Sequence, residues 1–171
     1  MKYADIRGGF FDGHVHVFAW RDNRGFIGNL IEHQTGAAYT HVGLVYAPIS
    51  GPLAGRVCVL EAREVQNDGS GRGSVQLCAA SRAIARAPCD WVRTKIKWTP
   101  AFELAAFAQF DKDYSYLSAL AVGLGLAPPA GELCCSVYIS GLLGLPLKGA
   151  TPGALVANLL EGDAVLSHVE V

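Results

Sequence analysis

Charge is scarce in this chain. Only 17% of its 171 residues are charged, and 14 basic against 15 acidic side chains leave a formal net charge of −1. No basic surplus exists to hold a phosphate backbone, which excludes nucleic acid as a partner. The densest basic run alternates Arg93, Lys95 and Lys97 with Val92, Thr94 and Ile96, the pattern of a strand with one solvated face. Long hydrophobic runs are missing too. The longest, Leu117 to Ala127, is broken by Ser118 and two glycines and falls far short of the ~20 residues that cross a bilayer. No stable membrane insertion is therefore expected. Met1 to Gly8 carries charges where a signal peptide has its apolar core, so the protein is expected in the cytoplasm as synthesised. The five cysteines include no C-x-x-C pair, and an odd, unpatterned set argues for reduced thiols rather than a disulfide framework.

What is present is apolar and glycine-rich, with 51% hydrophobic residues and 20 glycines. At this length one domain with a real core is expected. Residues 10–20 read as a strand, with His14, His16 and Phe18 on one face and Val15, Val17 and Ala19 on the other. His-x-His on a strand can hold zinc, but no further ligand follows at zinc spacing, and an ordinary polar face is the simpler reading; no metal or other cofactor is expected. Phe26, Ile27, Leu30 and Ile31 have helical spacing. Strands are expected over 38–46, 56–62, 74–78, 89–98 and 164–170, with a hairpin turn at Pro48 to Pro52 and a second turn over 69–73. A helical or irregular turn is expected over 81–87. Thr99-Pro100 and Thr151-Pro152 each read as an N-cap followed by proline at the first helical position. Phe102, Leu104, Ala105, Phe107 and Ala108 would form the apolar side of the first of these helices. The whole reads as one α+β domain, an antiparallel sheet with helices.

Chemistry concentrates at Cys134-Cys135-Ser136. Gly123, Gly125, Pro128 and Pro129 break the chain just upstream, which sets the cysteines in the first turn of a new helix running to Leu143. Free N–H groups and the positive end of the helix dipole favour a thiolate there. The alternative is that the pair are simply small buried hydrophobes. His41 begins a β-branched run with Tyr39 and Gly43 on its face, and the glycine leaves room for something to approach. A satisfied core histidine would also fit. Glu61 lies in an apolar strand, where a carboxylate needs a partner.

Tyr39-Thr40-His41-Val42-Gly43-Leu44, Val59-Leu60-Glu61-Ala62, Tyr114-Ser115-Tyr116 and Cys134-Cys135-Ser136, in that order, resemble the circularly permuted NlpC-type cysteine hydrolases, the YiiX/YebB-like branch of the papain-like clan. The likeness spans roughly residues 5 to 145. It implies a permuted papain-like fold, with the sheet or half-barrel packed on helices. It implies Cys135 as nucleophile, His41 as general base and Glu61 as the residue that orients the imidazole. Tyr39, Tyr114 and Tyr116 would line the substrate or oxyanion region, although this chain has Ser115 where an acid is more usual. Family substrates are peptide bonds of peptidoglycan stems, so a peptidoglycan fragment is the expected partner, and a phage or lysis system would have to carry the protein to the wall. A lipid acyl hydrolase or acyltransferase, with 117–127 as a membrane-touching lip, and an inactive binding module are the alternatives. Oligomeric state is left open by the residues.

Overall fold

The computed structural model describes residues 1–21, 38–65 and 72–170. The helix expected around 26–34 and most of the turn expected at 69–73 lie outside these residues. A short helix α1 (Tyr3–Ile6) runs into a 3-10 turn (Arg7–Phe11) before strand β1 (His14–Trp20). Phe10 and Phe11, expected in that strand, are thus in the turn. Gly13, at φ +76°, supplies the left-handed step that starts the strand. There follow β2 (His41–Tyr46), β3 (Cys58–Ala62), β4 (Val75–Ala79), α2 (Ala80–Ile84) and β5 (Cys89–Lys97). After these come α3 (Pro100–Phe107), α4 (Tyr116–Gly123), α5 (Cys135–Leu142), α6 (Pro152–Glu161) and β6 (Val165–Val169).

The strands form one six-stranded sheet in the order β4-β3-β2-β1-β5-β6, and each neighbouring pair is antiparallel. Alternation along the strands makes two apolar faces. Val15, Val17, Ala19, Val42, Leu44, Leu60 and Val92 meet Cys135, Tyr138 and Ile139 of α5 and Leu155, Val156 and Leu159 of α6. Phe18, Trp20, Val45 and Val59 on the reverse face meet Phe10 and the Ala80, Ala83 and Ile84 side of α2. Each fully buried aliphatic side chain here contributes roughly 1.5–3 kcal/mol relative to exposure. Both faces being covered explains why the central strands read as nearly continuous apolar runs. The fold is α+β, a mixed architecture of antiparallel sheet and packed helices.

The threonine caps act as their sequence implied. Thr99 Oγ1 accepts the Phe102 N–H at 3.1 Å and Thr151 Oγ1 accepts that of Ala154 at 3.2 Å. Two expectations fail. Among the residues of α3 only Ala106 is buried and Leu104 is 74% exposed, so the helix has no clean apolar side. The apolar segment after Tyr114, not foreseen as regular, forms α4. Its N-cap is Ser115, whose Oγ takes the Ser118 N–H at 3.0 Å and donates to the Glu132 carboxylate.

Candidate active site

Cys135 is the first residue of α5. Cys134, the N-cap, makes no side-chain cap, so the first N–H groups of the helix are not consumed by the usual acceptor. The far end is well closed: Gly144 sits at φ +67° and Leu145 N–H reaches the Ser140 carbonyl at 2.9 Å, a Schellman stop. With that end fixed, α5 presents Cys135, Tyr138 and Ile139 to the sheet. Cys134 and Val137 turn instead toward Ala119, Val122 and Ala150. The two cysteines therefore occupy different clusters, and only Cys135 faces β2.

The backbone N–H groups of Val42 and Ser136 lie near the Cys135 sulfur and favour its ionised form. Pairing of β2 with β3 runs only from Leu44↔Leu60 to Tyr46↔Cys58. Upstream of Leu44 the two strands no longer pair, which leaves the Val42 N–H to the thiol. Cys135 is 4% exposed, and burial pushes its thiol well above the ordinary cysteine range. Cys134 adds to the rise, while the two N–H groups offset part of it. The resting form is the neutral thiol.

Glu61 is fully buried on β3, and His41 Nε2 donates to its Oε2 at 2.7 Å. Because the carboxylate only accepts, Nε2 carries the proton and Nδ1 is the nitrogen left to act as a base. Arg86 Nη2 donates to both Glu61 oxygens, at 2.8 and 2.9 Å. Burial alone would raise the Glu61 carboxyl, but its bond and charge interaction with His41, followed by those with Arg86, hold it below the usual glutamate range. The Trp20 ring packs on both side chains, its centroid 5.2 Å from that of His41 and 5.1 Å from the Arg86 guanidinium carbon. Trp20 Nε1 and Arg86 Nε both donate to the Ala83 carbonyl, at 3.2 and 3.0 Å, which ties this group to the end of α2. Trp20 and Arg86 were missed by sequence reasoning. The available signal was the need of a buried Glu61 for a cation.

Strand alternation sends His41 to the face bearing Trp20 and Glu61, and Val42 to the face packed against α5. Cys135 and His41 thus lie toward opposite faces of the sheet near the point where β2 leaves β3, and among the described residues no hydrogen bond joins thiol to imidazole. Gly43 does leave room, but that space is filled from within: a Cβ there would lie 2.5 Å from Val59 Cγ1 and 3.1 Å from the Trp20 ring. Tyr39, expected on the face of His41, instead joins the cluster that holds Cys135 and donates its hydroxyl to Asp90, a carboxylate also held by Arg21 and His168. Tyr114 packs against both cysteine clusters, and burial followed by the nearby Cys135 and Cys134 raises its phenol. Its ring makes an edge contact with Tyr116 at 5.4 Å, and Tyr116 is exposed. A solvent-facing recess lined by Tyr114, Tyr116, Ser115 and Glu132 opens there. An apolar cavity of about 450 Å³ runs along α5 past Leu133, Val137, Tyr138 and Leu142. Neither is lined by Cys135 itself. His16, read as part of a polar strand face, is buried: its Nδ1 accepts from Trp91 at 3.0 Å and its Nε2 donates to Asp12 at 3.0 Å.

No protein-family model matches the chain, and no curated protein matches it in sequence. Among solved structures, the crystal structure of metalloprotein yiiX from Escherichia coli O157:H7, a DUF1105 protein, is similar to this chain at a TM-score of 0.51 and 14% identity. The match covers 77% of this chain and 67% of that one. At such identity the likeness speaks to fold, and it agrees with the α+β architecture described above. Among the described residues no group of three or more His, Cys, Asp and Glu side chains is disposed to hold a metal ion, and no helix is long and apolar enough to cross a membrane.

Proposed function

We propose that this chain is a cysteine hydrolase that cleaves amide bonds through a thioester, with peptidoglycan stem peptides as its substrates. The observation that carries the reading is the buried chain Arg86–Glu61–His41 at the start of β2, one residue from the amide that contacts the Cys135 thiol. Glu61, held as the carboxylate by His41 and Arg86, fixes the imidazole so that Nδ1 is the free base. As substrate enters, Nδ1 takes the Cys135 proton and sulfur attacks the carbonyl carbon. The resulting oxyanion is met by N–H groups of the uncapped α5 terminus, where one donor is worth about 10²–10³ in rate. The imidazolium returns its proton to the leaving amine as the C–N bond breaks. Water, deprotonated by the same imidazole, then splits the thioester and regenerates the thiol. Because the imidazole rests toward the opposite face of the sheet, catalysis on this reading requires it to turn to the α5 side as substrate binds.

Two observations favour other readings. Leu117, Leu120, Leu124 and Leu126 are exposed on and just beyond α4, and the apolar cavity beside α5 would take an acyl chain; both suit a lipid acyl hydrolase or acyltransferase. The burial of Cys135 suits a binding module that has lost activity. Incubation with muropeptides and with a short-chain lipid ester separates the three. The wild-type protein is expected to release amines from muropeptides, and Cys135→Ala to abolish release. Cleavage of the ester alone would transfer the reading to lipids, and no cleavage of either would leave the binding module.

A further inference from the structure

At the end of β2 away from His41, a carboxylate sits in a cavity walled by aromatic rings. The cavity, about 190 Å³, is lined by Phe10, Phe11, Tyr46, Trp98, His14 and Glu103, among others. Tyr46 OH donates to Glu103 Oε1 at 3.1 Å and Trp98 Nε1 donates to Oε2 at 3.0 Å. Ring contacts fix these walls: Tyr46 packs on Trp98 at 5.6 Å and on Phe107 at 5.0 Å, while Trp98 packs on Phe102 at 5.1 Å. Both donors to Glu103 are neutral. A carboxylate offers about four lone-pair positions, so roughly two remain. Among the described residues no cation forms an ion pair with Glu103. His14 Nδ1 is occupied as the acceptor of Arg93 Nη2 at 3.0 Å.

We infer that this cavity binds a small organic ammonium cation. Aromatic faces carry negative potential, and a cation within about 6 Å of a ring centroid is attracted to it, most strongly by tryptophan. A carboxylate clamped by neutral donors adds full charge without bringing its own counter-ion. The volume is below the roughly 300–1,000 Å³ typical of whole-ligand pockets, so the occupant is a head group or a lone small cation. Tyr46 lies five strand steps from His41, about 16 Å at ~3.3 Å per residue, and Cys135 does not line the cavity, so this site is distinct from the cysteine and its reading does not depend on hydrolase activity.

Calorimetric titration of the whole chain with choline, ethanolamine and 3,3-dimethyl-1-butanol tests this. The last has the shape of choline without its charge. Choline or ethanolamine is expected to bind, the better of the two reporting whether the nitrogen is methylated. The neutral alcohol is expected to bind at least roughly tenfold more weakly than that cation. Glu103→Gln should bring the cation down toward the level of the alcohol. Equal binding of alcohol and cation, unchanged cation binding by a folded Glu103→Gln, or no binding of either cation would overturn the assignment. The comparison with the alcohol is made on the wild-type protein, so it decides the matter even where the variant does not fold.

Discussion

Glu61 is where the catalytic and structural readings of the site part. As the residue that orients His41, its replacement in Glu61→Gln should keep the fold and lower turnover by about 10-fold to 10⁴-fold, the upper figure being that of the corresponding change in a serine triad. As half of an ion pair with Arg86, the same change would chiefly lower the melting temperature and leave turnover per folded molecule intact. Turnover and thermal unfolding measured on one preparation distinguish the two, and unchanged turnover would remove Glu61 from the site. The pH dependence carries an independent sign. The Glu61 carboxyl is lower in the folded state than its ordinary ~4.3, so the stability it contributes is complete above that value and is lost as pH falls through the folded-state value. Glu61→Gln should accordingly show a shallower loss of stability below about pH 4 than the wild type. The requirement for a partner was legible at Glu61 from its apolar surroundings. Arg86 as that partner was not, because the pairing depends on how α2 is hung from β4, a long-range arrangement that no local pattern encodes.

Among the elements, β2 contributes to both candidate sites, with His41 and the Val42 amide beside Cys135 at its start and Tyr46 at its far end. Its strand character was plain from β-branched and aromatic residues, and so were the threonine-proline helix starts, because those signals are local. The α4 helix was not foreseen. Its apolar residues are exposed rather than patterned for burial, and its cap, Ser115, looked like a departure from a family motif rather than a helix signal. Tyr39 leaves the face that alternation predicts because the chain before His41 is not yet regular strand. Gly43 shows what holds β2 in place. An added methyl would collide with Val59 and with the Trp20 ring that packs on His41. Gly43→Ala should therefore cost about 1–3 kcal/mol, lowering the melting midpoint by several degrees, and should reduce turnover by displacing the imidazole. An unchanged midpoint would mean that the sheet yields at this point more readily than its packing implies.

For the molecule as a whole, the six-stranded sheet with helices on both faces brings three segments distant in sequence to one rim: the start of β2, the end of β3 and the N-terminus of α5. Fold class could be read from the order of strand and helix signals. The relation of Cys135 to His41 could not, since it depends on where β2 and β3 cease to pair, and the register of that ladder has no counterpart in the sequence. On the proposed reading the thiol, buried beside the Val42 amide, reacts through proton transfer to His41 Nδ1. The most direct measurement is the rate of Cys135 alkylation by iodoacetamide near neutral pH, read by peptide mapping, in the wild type and in His41→Ala of unchanged melting temperature. Preferential labelling of Cys135 over Cys134 is expected, with a rate lower by about 10²-fold or more in the variant, the usual weight of a positioned general base. Equal rates in the two proteins, or labelling confined to Cys134, would contradict a Cys135–His41 catalytic pair.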